Sequence, residues 1–266
     1  MAMTGGSFVF RRVSSLLAVA CCALVAAPSF AQPKGKQPNL SGIWQAANTA
    51  HWDLEAHAAE AGPKPDLGAL LIVPPGPGVV TGGQIPYLPA AQAQRKKNRE
   101  QRWTADPEVK CYMPGVPRAT YMGYPFQIVQ GADKIMLSYE YANAVRIVHM
   151  KDPGPAPADS WMGWSVGRWE GNTLVVDVTA QNGDTWLDRS GNYHSDQIHV
   201  VEKYTLRSPD VLMYEATIED PKVFSKPWTI SMPLYRHLEK GAQLMRSEEH
   251  TSELQSHLNL VCRLLL

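Results

Sequence analysis

The segment Ser160–Val178 constrains the fold of this chain more than any other. Its Gly171-Asn172 pair stands between Val166–Trp169 and the β-branched run Thr173–Val178. Both central residues of a two-residue hairpin loop must tolerate positive φ, which Gly and Asn do, so the pair is typical of a tight antiparallel hairpin. The segment therefore predicts an antiparallel β architecture.

A series of strand-like segments extends this pattern along the second half of the chain. Short turns separate most of them, at residues 131–133, 141–143, 171–172 and 208–210. Such spacing is typical of an all-β sandwich or barrel, and a meander of about eight to nine strands favours an up-and-down barrel because closure removes exposed edges. The predicted strands are Ser41–Gln45, Phe126–Gln130, Lys134–Tyr139, Ala144–His149, Ser165–Trp169, Thr173–Thr179, Ile198–Leu206, Val211–Glu219 and Trp228–Tyr235.

The residues before the barrel contain one convincing helix, Pro89–Trp103, which begins with proline and carries a basic face. Residues 46–88 are rich in Ala, Pro and Gly without periodicity, which predicts an extended covering segment. The basic face could contact RNA, but 25 basic and 25 acidic residues balance, so a solvated helix face is preferred and no nucleic-acid partner is expected. We expect residues 32–124 to pack on a barrel core of residues 125–245.

The N-terminus has the pattern of a cleaved secretory signal peptide over residues 1–31. Arg11-Arg12 precede the apolar stretch Val13–Ala27, and a small-x-small site stands before Gln32. The apolar stretch is short for a bilayer span, so no transmembrane segment is expected in the mature chain. We therefore expect a periplasmic or secreted protein. A lipoprotein anchored at Cys21 is the less favoured alternative.

The C-terminal residues 246–266 are predicted to be non-native. Arg246–His257 reads codon by codon as a translated sequencing adapter, and the remainder would be its run-on. The native chain is therefore expected to be truncated near Met245.

Cys111 is the cysteine that remains once both ends are set aside, because the others lie at positions 21, 22 and 262. Disulfides are the usual fate of cysteines in exported proteins. Either the partner of Cys111 is missing with the native C-terminus, or Cys111 is a buried free thiol, and the residues leave both interpretations open.

Several motifs together resemble a family of exported bacterial proteins of uncharacterised function. The likeness covers most of Leu40–Met245. It lies in Leu40–Trp44, Asp106–Arg118, Pro125–Ile128, Ser160–Gly163, Ser165–Asp177, Thr185–Asp188, His194–Asp196, His199–Glu202 and Asp220–Thr229. The resemblance implies a lipocalin-like β-barrel and, beyond Met245, a further cysteine that would pair with Cys111. It brings no established activity.

Tryptophans and arginines are the candidate ligand-binding residues. Aromatic walls with few polar groups are typical of a small-molecule pocket, although the same tryptophans would serve as barrel core. Arg118 and Arg146 would anchor an anionic ligand, with salt bridging as the alternative role. The candidates are Trp161, Trp164, Trp169, Trp186, Arg118 and Arg146. The favoured function is binding of a small apolar or aromatic molecule in the barrel.

Two histidines support a second hypothesis, an enzyme at the barrel mouth. His194 and His199 are candidate acid/base residues for a lyase, isomerase or hydrolase, because imidazole titrates near neutral pH. Strand alternation places His199 and Glu202 on opposite faces. A metal site at His194, Asp196 and His199 matches no established spacing, so neither metal nor cofactor is expected. A structural or interaction module without a ligand, in which residues 46–88 wrap a partner, is the third hypothesis.

Overall fold

The computed structural model describes residues 1–2 and 37–245 of the 266-residue chain. Apart from residues 1–2, the expected signal peptide lies outside these residues, as does the expected adapter-derived tail. Cys111 is disulfide-bonded, and Cys21, Cys22 and Cys262 lie outside the described part of the chain.

Within residues 37–245, nine strands form a closed barrel in chain order, which confirms the predicted mainly β fold. Each predicted strand is present, and its ends lie within two residues of the predicted ones. The strands are β1 Gly42–Ala46, β2 Phe126–Gln130, β3 Lys134–Tyr139, β4 Val145–His149, β5 Trp164–Glu170, β6 Thr173–Thr179, β7 His199–Ser208, β8 Val211–Glu219 and β9 Trp228–Arg236. The barrel closes through antiparallel pairing of β1 with β9.

One strand pair departs from the predicted antiparallel meander. Strands β4 and β5 are parallel, with Val148 opposite Ser165 and His149 opposite Val166. The connection between them, residues 150–163, therefore returns the chain from one end of the barrel to the other. Parallel neighbours need a crossover of about a dozen residues or more, and this proline-containing connection supplies it.

The strand directions determine at which end of the barrel each connection lies. One end carries the short turns at residues 131–133, 171–172 and 209–210. The other end, which we call the loop end, collects the connections of residues 47–125, 140–144, 180–198 and 220–227. Most of the irregular chain therefore meets at one end of a rigid barrel, where binding and catalytic residues are commonly placed.

Large inward-facing side chains occupy the barrel interior. Trp44, Phe126 and Tyr214 are fully buried there. As the alternation predicts, Glu202 of β7 points inward and is fully buried, whereas His199 is partly exposed. The interior is therefore an aromatic core that also contains charged residues, Glu202 of β7 and Arg146 of β4.

The one predicted helix is divided into α1, Pro89–Glu100, and α2, Arg102–Ala105. Short 3-10 segments lie at Pro65–Leu71, Pro107–Lys110, Arg118–Tyr121 and Tyr141–Asn143. Within the described residues, no helix has the length and apolar character needed to cross a membrane.

The basic face of α1 and α2 is largely paired with acidic residues of the covering segment. Arg95 forms an ion pair with Glu55. Glu60 accepts from Arg99 at 2.5 Å and from Arg102 at 3.1 Å. The expectation of a solvated helix face is therefore wrong for these three arginines, because their charges attach residues 53–60 to the helices.

Candidate ligand-binding site at the loop end

A buried ionic network joins the segments of the loop end. Arg118 donates to both oxygens of Asp106 at 2.8 Å and to Oε2 of Glu108 at 2.6 Å. Glu108 also accepts from Nε of Arg189 at 2.8 Å. Although burial raises the pKa of Glu108, the guanidinium groups of Arg189 and Arg118 lower it to about 2. One ionised carboxylate thus ties residues 106–118 to the loop of residues 180–198.

Asp188 organises the same loop from inside the protein. Its fully buried carboxylate accepts from the backbone N–H groups of Leu54, Ser190 and Asn192 at 2.9–3.1 Å, and from Nδ2 of Asn192 at 2.6 Å. Burial and the neighbouring charge of Asp53 raise the pKa of Asp188 to about 7. The carboxylate therefore holds the turn that leads into Tyr193.

A cleft of about 440 Å³ opens where α1 meets the loop of residues 180–198. This volume lies within the range of small-molecule pockets, roughly 300–1,000 Å³. Trp186 and Tyr193 supply aromatic surface, and the remaining walls are polar. The polar lining consists of Gln94, Asn98, Gly183, Asp184, His194, Ser195 and Asp196.

Gly191 permits the close approach of this loop to α1. Its φ is +92°, and a Cβ atom there would lie 2.6 Å from the backbone nitrogen of Arg99. Asn98 of α1 donates to the Gly191 carbonyl at 3.3 Å. A residue without a side chain is therefore needed both for the backbone conformation and for the contact that shapes the cleft.

His194 lies in this cleft, but both of its ring nitrogens are engaged. Nδ1 lies 2.9 Å from the Ser195 carbonyl, which only accepts, so Nδ1 carries the proton. Nε2 then accepts from the Thr185 hydroxyl at 2.6 Å. Burial lowers the pKa of His194. The arrangement is that of a neutral imidazole that bridges two parts of the loop.

The structure does not bring His199 to the same site. Its side chain is 38% exposed, and Nε2 lies 3.3 Å from Oδ1 of Asp177 on the neighbouring strand. His194 belongs to the loop before β7, whereas His199 begins the strand and faces outward. The two histidines therefore do not share a pocket.

Of the four candidate tryptophans, Trp186 lines the cleft. Trp161 packs on Tyr112, with ring centroids 5.2 Å apart, and Trp164 packs on His149 at 4.6 Å. Trp169 packs against the core from the opposite end of β5. Five residues of extended chain separate positions 164 and 169, roughly 17 Å. These tryptophan rings are therefore close in sequence but do not line one common pocket.

The two candidate arginines are buried and bound to carboxylates. Arg118 belongs to the ionic network and is 1% exposed. Arg146 spans the barrel interior to Glu202, with Nη2 2.6 Å from Oε2. Glu202 also accepts from the hydroxyls of Tyr204 and Tyr214 at 2.9 and 2.8 Å. The charge of each arginine is therefore balanced within the protein.

His51 is a loop-end residue that the sequence analysis missed. It packs on Trp52 at 5.3 Å, and its Nδ1 is buried without a hydrogen bond to any described residue. Burial and the positive charge of Arg189 lower its pKa to about 3, so the ring is neutral. No periodic pattern surrounds it in residues 46–88, and its neighbours Glu108 and Arg189 are distant in sequence. Only the fold assembles this group.

The barrel and the loop-end cleft define the class of protein, a β-barrel with one elaborated end. No protein-family model matches the chain, and no curated protein matches it. In the described ranges, no group of three or more His, Cys, Asp and Glu side chains is placed to hold a metal ion.

Proposed function

We propose that this is an exported small-molecule-binding protein whose ligand occupies the cleft between α1 and residues 180–198. The observation that carries the proposal is the cleft itself, about 440 Å³ with Trp186 and Tyr193 in its walls. Both the signal-peptide pattern and the resemblance to exported bacterial proteins support a periplasmic or secreted location and family membership.

We place the ligand-binding site at the loop end and not in the barrel interior, because large side chains occupy the interior. Within the described residues, three of the cavities border the covering segment or the helices, and Arg146, Glu202 and Tyr214 line none of these three. The walls of the cleft are held by Asp188 and Gly191, so little chain must be ordered when a ligand enters. Such preorganisation lowers the entropic cost of binding.

Native mass spectrometry of the purified protein tests this proposal. We expect added mass from a co-purified molecule, or from a member of a panel of small aromatic and polar metabolites. The variant Trp186→Phe should weaken retention, whereas Trp164→Phe, which replaces an indole packed on His149 outside the cleft with a smaller ring, should not. Equal retention by both variants, or no bound mass in any sample, would contradict the proposal.

A second candidate function is an enzyme at the loop end in which His51, rather than His194 or His199, is the general base, because an imidazole that stays neutral can accept a proton. The observation that favours it is the neutral ring of His51 beside Arg189 and Glu108, with Nδ1 unpaired among the described residues. Diethyl pyrocarbonate, which acylates neutral accessible imidazoles, tests it. His51 should react about as fast at pH 5 as at pH 7, because its pKa is about 3. An unreactive His51 would remove this candidate.

A further inference from the structure

We infer that the cleft binds a neutral, polyhydroxylated ring of the saccharide class, and this inference rests on the function proposed above. It follows from which polar groups of the cleft are already satisfied, which remain available, and what charge surrounds them. The sequence predicts an apolar or aromatic ligand, whereas the lining of the cleft is mostly polar.

Several polar side chains of the cleft already form hydrogen bonds within the protein. The amide of Asn98 donates to Gly191 and accepts from Gln94 at 2.6 Å. His194 is bound at both nitrogens, as described above. The Ser195 hydroxyl donates to Asp220 at 3.0 Å and accepts from the backbone N–H of Gln197. These groups shape the cleft but have little capacity left for a ligand.

Three polar groups remain available. Within the described residues, neither the indole Nε1 of Trp186 nor the carboxylate of Asp184 forms a hydrogen bond, and Gln94 keeps its carbonyl oxygen. Together they offer two N–H donors, the indole N–H of Trp186 and the second amide N–H of Gln94, with one charged acceptor and one amide acceptor. A ligand that satisfies all three must both donate and accept hydrogen bonds, as vicinal hydroxyl groups do.

The charge of the lining selects a neutral ligand. Among the described residues that line the cleft there is no lysine or arginine, so an anion would find no counterion in this lining. The charge of Asp196 is balanced by Lys222 at 2.8 Å, which leaves Asp184 as the unbalanced carboxylate. An ammonium group would bind Asp184 but could not accept from the indole N–H of Trp186. A hydroxyl group serves both positions.

The aromatic side chains of the cleft are the reason that we expect the ligand to contain a ring. Trp186 and Tyr193 are joined by an antiparallel backbone bridge, which holds their backbones opposite each other across the loop. Tyr193 also packs on Tyr87, with centroids 6.0 Å apart. A saccharide ring presents an apolar C–H face that packs on such surface, while its hydroxyl groups reach Asp184 and Gln94.

Tryptophan fluorescence titration of the whole protein tests the ligand class. The probes are glucose, xylose, N-acetylglucosamine and cellobiose, with indole as an apolar probe and choline as a cationic one. We expect saturable binding of at least one saccharide. Loss of a hydrogen bond to a charged group should weaken binding by roughly 10- to 100-fold in Asp184→Ala. The matched control Asp133→Ala, in the turn at the opposite end of the barrel, should bind normally.

The outcomes separate this inference from the function on which it rests. If indole or choline binds, Trp186→Phe weakens it and no saccharide binds, the ligand class is overturned and the proposed function stands. If no probe binds and native mass spectrometry finds no bound molecule, both fail. Saccharide binding that is equal in Asp184→Ala and the parent protein would also overturn the inference.

Discussion

Single charged residues inside this barrel depend on partners from distant strands. Arg146 on β4 and Glu202 on β7 meet at 2.6 Å across the interior, and both are almost inaccessible to solvent. Removal of one member leaves the other as an uncompensated buried charge, which typically costs about 3–5 kcal/mol. Replacement of both residues by neutral side chains in the same variant avoids that cost.

We therefore expect Arg146→Met to destabilise the protein by about 3–5 kcal/mol. The double variant Arg146→Met/Glu202→Gln should be more stable than Arg146→Met, because the introduced amide keeps an acceptor oxygen for Tyr204 and Tyr214 without a charge. The free energy of unfolding from urea denaturation measures both. A double variant that is no more stable than the single one would contradict this account of the ion pair.

The second prediction at the residue scale concerns Asp188 and pH. Its pKa is raised from 3.8 to about 7 in the folded protein. Between these values the folded state keeps a proton that the unfolded state has lost, so the contribution of Asp188 to stability falls as pH rises through this window and is constant above it. The stability of the parent protein relative to Asp188→Asn should therefore decrease from about pH 4 to about pH 7.

Urea denaturation of the parent and Asp188→Asn proteins at several pH values gives this difference. Asp196→Asn is the matched control, because that carboxylate is exposed and its hydrogen bond with Lys222 lowers its pKa. Parallel stability curves for the parent and Asp188→Asn proteins would show that Asp188 titrates normally.

At the scale of elements, the contact between α1 and the loop of residues 180–198 depends on Gly191. Alanine with positive φ costs about 1–2 kcal/mol, and the clash with the Arg99 backbone should add about 1–3 kcal/mol. Gly154→Ala is the control, because Gly154 has a φ of +80° and a Cβ atom there would have nothing within 4 Å. We expect Gly191→Ala to be the less stable variant and to expose α1 to limited proteolysis. Equal stability of the two variants would contradict the proposed contact.

The strands could be predicted from sequence because their signals are local. The Gly171-Asn172 turn and the alternation along β7 depend on neighbouring residues, and both are present in the structure. Of the two turn residues, Gly171 has a positive φ of +63° and Asn172 does not, so the loop requires this conformation at its first position and not at both. The parallel pairing of β4 with β5 was not predictable in this way, since a strand does not encode the direction of its neighbour. The ion pairs of the basic helix face could not be predicted from local patterns, because the acidic partners of Arg95 and Arg99 lie 39 or more residues earlier in the sequence.

The candidate site was less predictable than the fold. Trp186 and His194 were identified as single residues and lie in one cleft. Gln94 and Asn98 were missed because they come from a helix whose relation to the loop appears only in three dimensions. His51 was missed for the same reason, since its charged neighbours are Glu108 and Arg189. Local sequence patterns identify side chains that can take part in binding or catalysis. The three-dimensional fold determines which of these side chains lie close together.

At the scale of the whole molecule, the two ends of the barrel differ in structure and, we propose, in role. Tight turns close one end, while the loop end carries the covering segment, both helices and the ionic network. A barrel built this way can bind a ligand at one end without changing its strands. Ligand binding should therefore leave most of the barrel unaffected.

Hydrogen–deuterium exchange with the tightest-binding probe of the titration panel tests the central claim most directly. Protection should appear in residues 89–100 and 180–198 and should be absent from the turns at residues 131–133 and 171–172. Protection confined to the barrel strands or to the opposite end would place the ligand elsewhere and contradict the loop-end site.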